Sequence, residues 1–136
     1  MGSRRKSREL AMQFLYNLEM NHQDIDDALR YFWEMNPADE SCREFAENII
    51  RGAMEHKQEI DSIIDKFTIN WDIERIAIVD RNVLRIGIYE MLFRDDIPPV
   101  VSINEAVDIA KKYSTGESGK FVNGILDKVK LEVLKK

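Results

Sequence analysis

The chain has 136 residues, 44% of them hydrophobic, and is interrupted by three prolines and six glycines; this excludes a disordered adaptor and leaves room for one packed domain. The lone Cys42 excludes an internal disulfide, and no apolar run approaches membrane-spanning length, so a cytoplasmic location is expected. The net charge is −5, yet Met1–Arg8 carries Arg4, Arg5, Lys6 and Arg8 without an acid, which leaves −9 for residues 9–136.

From Ser3 the spacing predicts a helix burying Ala11, Phe14, Leu15 and Leu18, with Arg4 and Arg8 on the same line. The basic cluster is therefore held at a helix start, where it has geometry. Arg5, Glu9, Met12 and Tyr16 share a second line, read as an exposed partner surface. A short helix follows with Asp24 as N-cap and Ile25, Leu29, Phe32 and Trp33 inward, ended by Asn36–Pro37. One long helix is then expected from Asp39 to near Phe67, with Gly52 bending it or admitting a close neighbour. Asp72 reads as the cap of a short helix carrying Ile73, Ile76 and Ala77.

Between Asp80 and Arg94 the apolar residues cover nearly the whole helical wheel, which predicts a central, buried helix. Pro98–Pro99 ends it. Ser102 and Glu105 have the spacing of a capping box opening a helix that ends near Tyr113. A polar loop, Ser114–Gly119, leads to a last helix with Val122, Ile125, Leu126, Val129 and Val133 inward. No strand alternation is found, so the fold class is all-α, a packed helical bundle with approximate sub-bundles 1–70 and 71–136.

Catalytic chemistry has no foothold in this pattern. His22, His56 and Cys42 lack any zinc spacing, so no metal is expected. Thr115–Lys120 superficially resembles a phosphate loop, but its two glycines are too close together, Phe121 stands where a Ser or Thr would meet magnesium, and no strand precedes it. Neither a catalytic residue nor a cofactor follows. The basic start, in contrast, suits backbone phosphates through counterion release, and four single-strand contacts would give a log–log salt slope of about −3. Phe121 lies off the core line on the same side as Lys128, where a base could stack; the alternative is a Phe filling a gap in the core. Tyr113, at the last turn of its helix, can reach past the core edge.

Arg4 through Tyr16 resembles the opening of the NusB transcription antitermination family. So do Asp80–Ile86, Tyr89–Leu92, Asp96–Pro98, Ser102–Val107 and Lys120–Asp127, in family order along nearly the whole chain. The resemblance implies two small helical bundles, a heterodimer with NusE (a ribosomal protein of the small subunit), and binding to boxA, a single-stranded element of ribosomal RNA leaders, within the transcription elongation complex. By the same resemblance Arg4, Arg5, Lys6 and Arg8 match the family's RNA-binding start, and Tyr113, Glu117, Lys120 and Phe121 its C-terminal RNA-proximal region. Tyr16 and Asp80 match the partner surface. Asp80 is shorter than the Glu of some members, and Gly119 replaces larger side chains, which is expected to loosen the loop before Phe121. The rival readings are the related N-terminal module of an RNA cytosine methyltransferase, disfavoured because no Gly-rich strand–loop–helix for S-adenosylmethionine is present, and a protein-only adaptor, disfavoured by the basic cluster. A homodimer is a further arrangement that helical pattern leaves open.

Overall fold

A computed structural model describes residues 2–68 and 75–134. Among them, seven α-helices follow one another: α1 (Gly2–Asn21), α2 (Ile25–Met35), α3 (Glu40–Glu55), α4 (Lys57–Phe67), α5 (Ile78–Phe93), α6 (Pro99–Tyr113) and α7 (Gly116–Lys128), the last running into a π-helical turn at Val129–Val133. None is long and apolar enough to cross a membrane. The expected cap at Asp72 lies outside the described residues.

Short polar side chains set the helix starts. Asp24 accepts from the Asp27 amide at 3.2 Å and Asp39 from the Cys42 amide at 2.9 Å, each satisfying one of the donors a helix N-terminus leaves unpaired. Phe32, on the inner face of α2, meets Phe14 and Trp33 edge to face, with ring centroids 5.4 and 5.2 Å away.

The helix expected from Asp39 to Phe67 is two helices. The break falls at His56, whose backbone leaves helical geometry (φ −104°, ψ 19°). Its imidazole stacks on Phe93, centroid to centroid at 3.9 Å. The bend lets α3 pack on α1 and α5 while α4 packs on α5 and α7. Gly52, just before the bend, admits the ring of Tyr89: a Cβ built there would overlap that ring.

As the wheel predicts, α5 is central. It packs against α1, α3, α4, α6 and α7, and one contiguous core runs through all of them. Four polar side chains on α5 are nevertheless buried: Asp80, Asn82, Arg85 and Glu90. Buried polar groups need partners. Arg85 spans both oxygens of Asp61 at 2.8 and 3.1 Å. Asn82 donates to Glu19, which also receives Arg81, so the second half of α1 is pinned to the start of α5.

The capping box does not form. Helix α6 begins four residues earlier, at Pro99 with Pro98 as its cap, because proline fits the first helical position, where its missing N–H is no loss. Ser102 and Glu105 are thereby inside the helix, where their side chains meet residues of α5 and α1 instead. The loop expected up to Gly119 is also shorter. Thr115 caps α7 by accepting from the Ser118 amide at 3.1 Å, so Gly119 is already helical. The stem of Lys111 lies across it, with two carbons within 2.9 Å of a built Cβ, and this close approach replaces the expected loosening.

Candidate nucleic-acid interface

The start of α1 lies along α6, and the basic cluster divides into four different environments. Arg8 is buried, its side chain 4% exposed. Its Nε and Nη2 donate to the two carboxylate oxygens of Glu90 at 2.7 and 2.9 Å, and Nη1 reaches Glu105 at 3.3 Å. Ser102 Oγ donates to the same Glu90 at 2.8 Å. Arg8 is therefore unavailable to a phosphate; it holds the helix that carries the others. This corrects its expected contact role, and the reason is its place on the buried line of α1.

Arg5 donates from Nε and Nη2 to both oxygens of Glu105 at 2.7 Å, and from Nη2 to Asp108 at 3.0 Å. The bond from Glu105 raises its affinity for a proton further, so it is a permanent cation. Arg4 is half exposed, 3.8 Å from Asp96, with its guanidinium 4.5 Å above the ring of Phe45. Arg8 and Arg94 approach the same ring at 5.2 and 5.1 Å, where the negative face of the ring attracts all three. Arg94 in turn holds the Asp96 carboxyl down to about 2. Lys6 is exposed, with no ion-pair partner among the described residues. Phe45 is partly buried against the core, and Arg94 stands at the end of α5. Nothing local marks a ring that two arginines of one helix and a third from the end of another will share.

The line Arg5–Glu9–Met12–Tyr16 is only partly a surface. Glu9 and Met12 are buried; Glu9 accepts from Lys112 at 3.1 Å and from the Tyr113 hydroxyl at 3.0 Å. Tyr16 emerges, exposed, one turn beyond Met12. Tyr113 is thus brought beside the basic helix, also accepting from Gln13 at 3.2 Å. Burial and the Glu9 bond both push its phenol upward, so it stays protonated at neutral pH.

On α7, Lys120 and Glu117 are exposed and pair loosely at 3.5 Å. Phe121 packs its inner edge on the core and its outer edge lines a cavity of about 350 Å³ with Arg75, Ile76, Ala77 and Asp80. Phe121 thus fills a gap against the core while still bordering open space. Asp80 is 7% exposed and so lies beneath the surface on which it was expected. Its Oδ2 accepts from Ser118 Oγ at 3.0 Å, tying the starts of α5 and α7 together, while buried Oδ1 has no hydrogen-bond partner among the described residues.

Burial pushes the Asp80 carboxyl above its usual range, and the Ser118 bond only partly counters this. An acid whose folded pKa is raised opposes folding once pH exceeds its unfolded value of about 3.9, and that opposition is complete above the folded pKa. Asp80→Asn should therefore raise the urea midpoint at neutral pH, with the gain fading below pH ~4. Equal loss of stability at both pH values would mean that the Ser118 bond outweighs the buried charge.

The class defined by these features is an all-α protein built around one buried, polar-studded helix, with a cationic helix start laid along a second helix. The NusB family model matches residues 5–130. The chain is 54% identical over 130 residues to the transcription antitermination protein NusB of Methylacidiphilum infernorum, covering 95% of this chain and 91% of that one. A solved structure of T. maritima NusB superposes with a TM-score of 0.87 at 41% identity, over 95% and 91% of the two chains. A crystal structure of antitermination factors NusB and NusE in complex with double-stranded RNA matches with a TM-score of 0.84 at 33% identity, over 93% and 95%. The chain belongs to the NusB family of transcription antitermination proteins.

Proposed function

We propose that this chain binds boxA-type single-stranded RNA of ribosomal RNA leaders, as a heterodimer with NusE, and acts in the cytoplasm within the transcription elongation complex. The observation that carries the RNA reading is the continuity of the charged face. On α1, Arg5 pairs with Glu105 and Asp108 of α6 and Glu9, one turn on, holds Lys112 and Tyr113 of the same helix, with the exposed Arg4 and Lys6 on either side of Arg5 in sequence. Lys111 then crosses Gly119 to reach α7, which bears Glu117, Lys120 and Phe121. Arg8 positions this face from below. The complex of a relative with NusE and double-stranded RNA supports NusE as the protein partner and RNA as a ligand class. Tyr16 faces the partner in this reading, and the cavity that Asp80 shares with Phe121 lies where partner and RNA meet, with Asp80 Oδ1 as an acceptor for a donor of the partner.

The test is RNA anisotropy with NusE present, across several salt concentrations. With Arg4, Lys6 and Lys120 as the exposed phosphate contacts, the log–log slope should be about −2, from roughly −0.7 per contact. Arg4→Ala together with Lys6→Ala should remove most of that slope. Phe121→Ala should leave it unchanged while costing about 1–3 kcal/mol if a base stacks there. A wild-type slope in the Arg4, Lys6 double variant would overturn the reading.

A further inference from the structure

We infer that Asp108 sets the RNA affinity by competing with RNA phosphate for Arg5; this rests on the reading that the start of α1 meets the RNA backbone. Two carboxylates one helical turn apart on α6 hold Arg5, and they are not equivalent. Glu105 takes Nε and Nη2 in a two-pronged pair at 2.7 Å and also reaches Arg8 at 3.3 Å. It is mostly covered, with its side chain 21% exposed, and it orients both arginines. Asp108 is 51% exposed, accepts only the second Nη2 hydrogen at 3.0 Å, and has no other partner among the described residues.

The charge balance gives this contact its consequence. Arg5 and Arg8 face Glu90, Glu105 and Asp108, so two cations meet three anions and this part of the basic start is locally negative. Glu90 and Glu105 are needed to place the guanidinium groups. Asp108 is not, because Arg5 keeps its two-pronged pair without it. Its exposed carboxylate instead occupies a donor of Arg5 on the solvent side and repels an incoming phosphate. A guanidinium has five N–H donors, so Nη1 of Arg5, which makes none of these bonds, remains for the RNA once the neighbouring anion is neutral. Such a competitor lowers affinity for every strand alike and leaves selectivity to the stacking and base contacts elsewhere.

The experiment measures binding of a short boxA-type single-stranded RNA and of an oligouridine of equal length, for wild type, Asp108→Asn, Arg5→Gln and the double variant. Melting curves establish that each is folded. Asp108→Asn should bind both strands about three- to fivefold tighter at ~0.1 M salt, and its salt slope should steepen by up to ~0.7. The gain should vanish when Arg5 is Gln, since the competition acts through that side chain. Unchanged affinity in Asp108→Asn, or a gain that persists without Arg5, would overturn the inference. If Arg4→Ala and Lys6→Ala still weaken binding in that case, the RNA reading itself stands; if they too have no effect, both fall.

Discussion

Glu90→Ala is expected to cost about 3–5 kcal/mol of stability, the range for removing one member of a buried ion pair. Glu90 is 1% exposed and gathers donors from two other helices: Arg8 from α1 at 2.7 and 2.9 Å, and Ser102 from α6 at 2.8 Å. Alanine would leave the Arg8 guanidinium desolvated, with the 3.3 Å contact to Glu105 as its remaining anionic partner. The pair itself need not be strongly stabilising, because taking both ions out of water costs about as much as their attraction returns. Arg8→Met with Glu90→Leu should therefore recover most of the loss. Equilibrium urea unfolding of Arg8→Met, Glu90→Leu and their double variant measures the coupling. A loss below ~1 kcal/mol for Glu90→Ala would refute the buried-pair account. The double variant also separates positioning from contact: if Arg8 touches no phosphate, the folded double variant should keep the wild-type salt slope with RNA.

Gly52→Val should be the next most damaging change, at the upper end of the ~1–3 kcal/mol typical of overpacking. A Cβ at position 52 would overlap two ring atoms of Tyr89 and stand 2.5 Å from its oxygen. Removing glycine from a helix ordinarily stabilises by about 0.5–1 kcal/mol, which is too small to offset displacing a buried ring. Tyr89 cannot yield cheaply. Its hydroxyl bonds Asn48 at 3.2 Å and its ring stacks near Phe93, which in turn stacks on His56 at the α3–α4 bend. Displacement should thus be felt at His56, and hydrogen exchange near residue 56 should quicken along with the loss of stability. Wild-type stability in the Gly52→Val variant would show that the Tyr89 ring has somewhere else to go.

Much of the architecture was legible because it is local. Apolar spacing near 3.6 residues marked the helices, the Asp24 and Asp39 side chains marked where two of them start, and a wheel without a polar face marked α5 as central. The close neighbour at Gly52 was also foreseeable, since a glycine inside a helix usually has a packing reason. The resemblance to the NusB family covered elements from α1 to α7 and matched the fold.

The site was less legible. Four cations in eight residues announced an electrostatic role, yet their spacing could not say which would be exposed. Asp108 and Glu105 are about 100 residues from Arg5, and Glu90 is 82 from Arg8. The same distance in sequence hid the bonds that Lys112 and Tyr113 make to Glu9. The break at His56 answers to Phe93, on another helix. The S-x-x-E pattern at Ser102 reads as a cap because the rule is local, whereas both side chains are drawn into the network around the buried Arg8.

Hydrophobic periodicity and short-range capping are properties of neighbouring residues, so the amino-acid sequence by itself determined an all-α chain, the starts of its first three helices and its central helix. Charge pairing and burial depend on which helices meet, so only the tertiary structure decided that Arg8 is an anchor, that Arg5 is shared between two carboxylates, and that Arg4 and Lys6 are the exposed cations of the first helix.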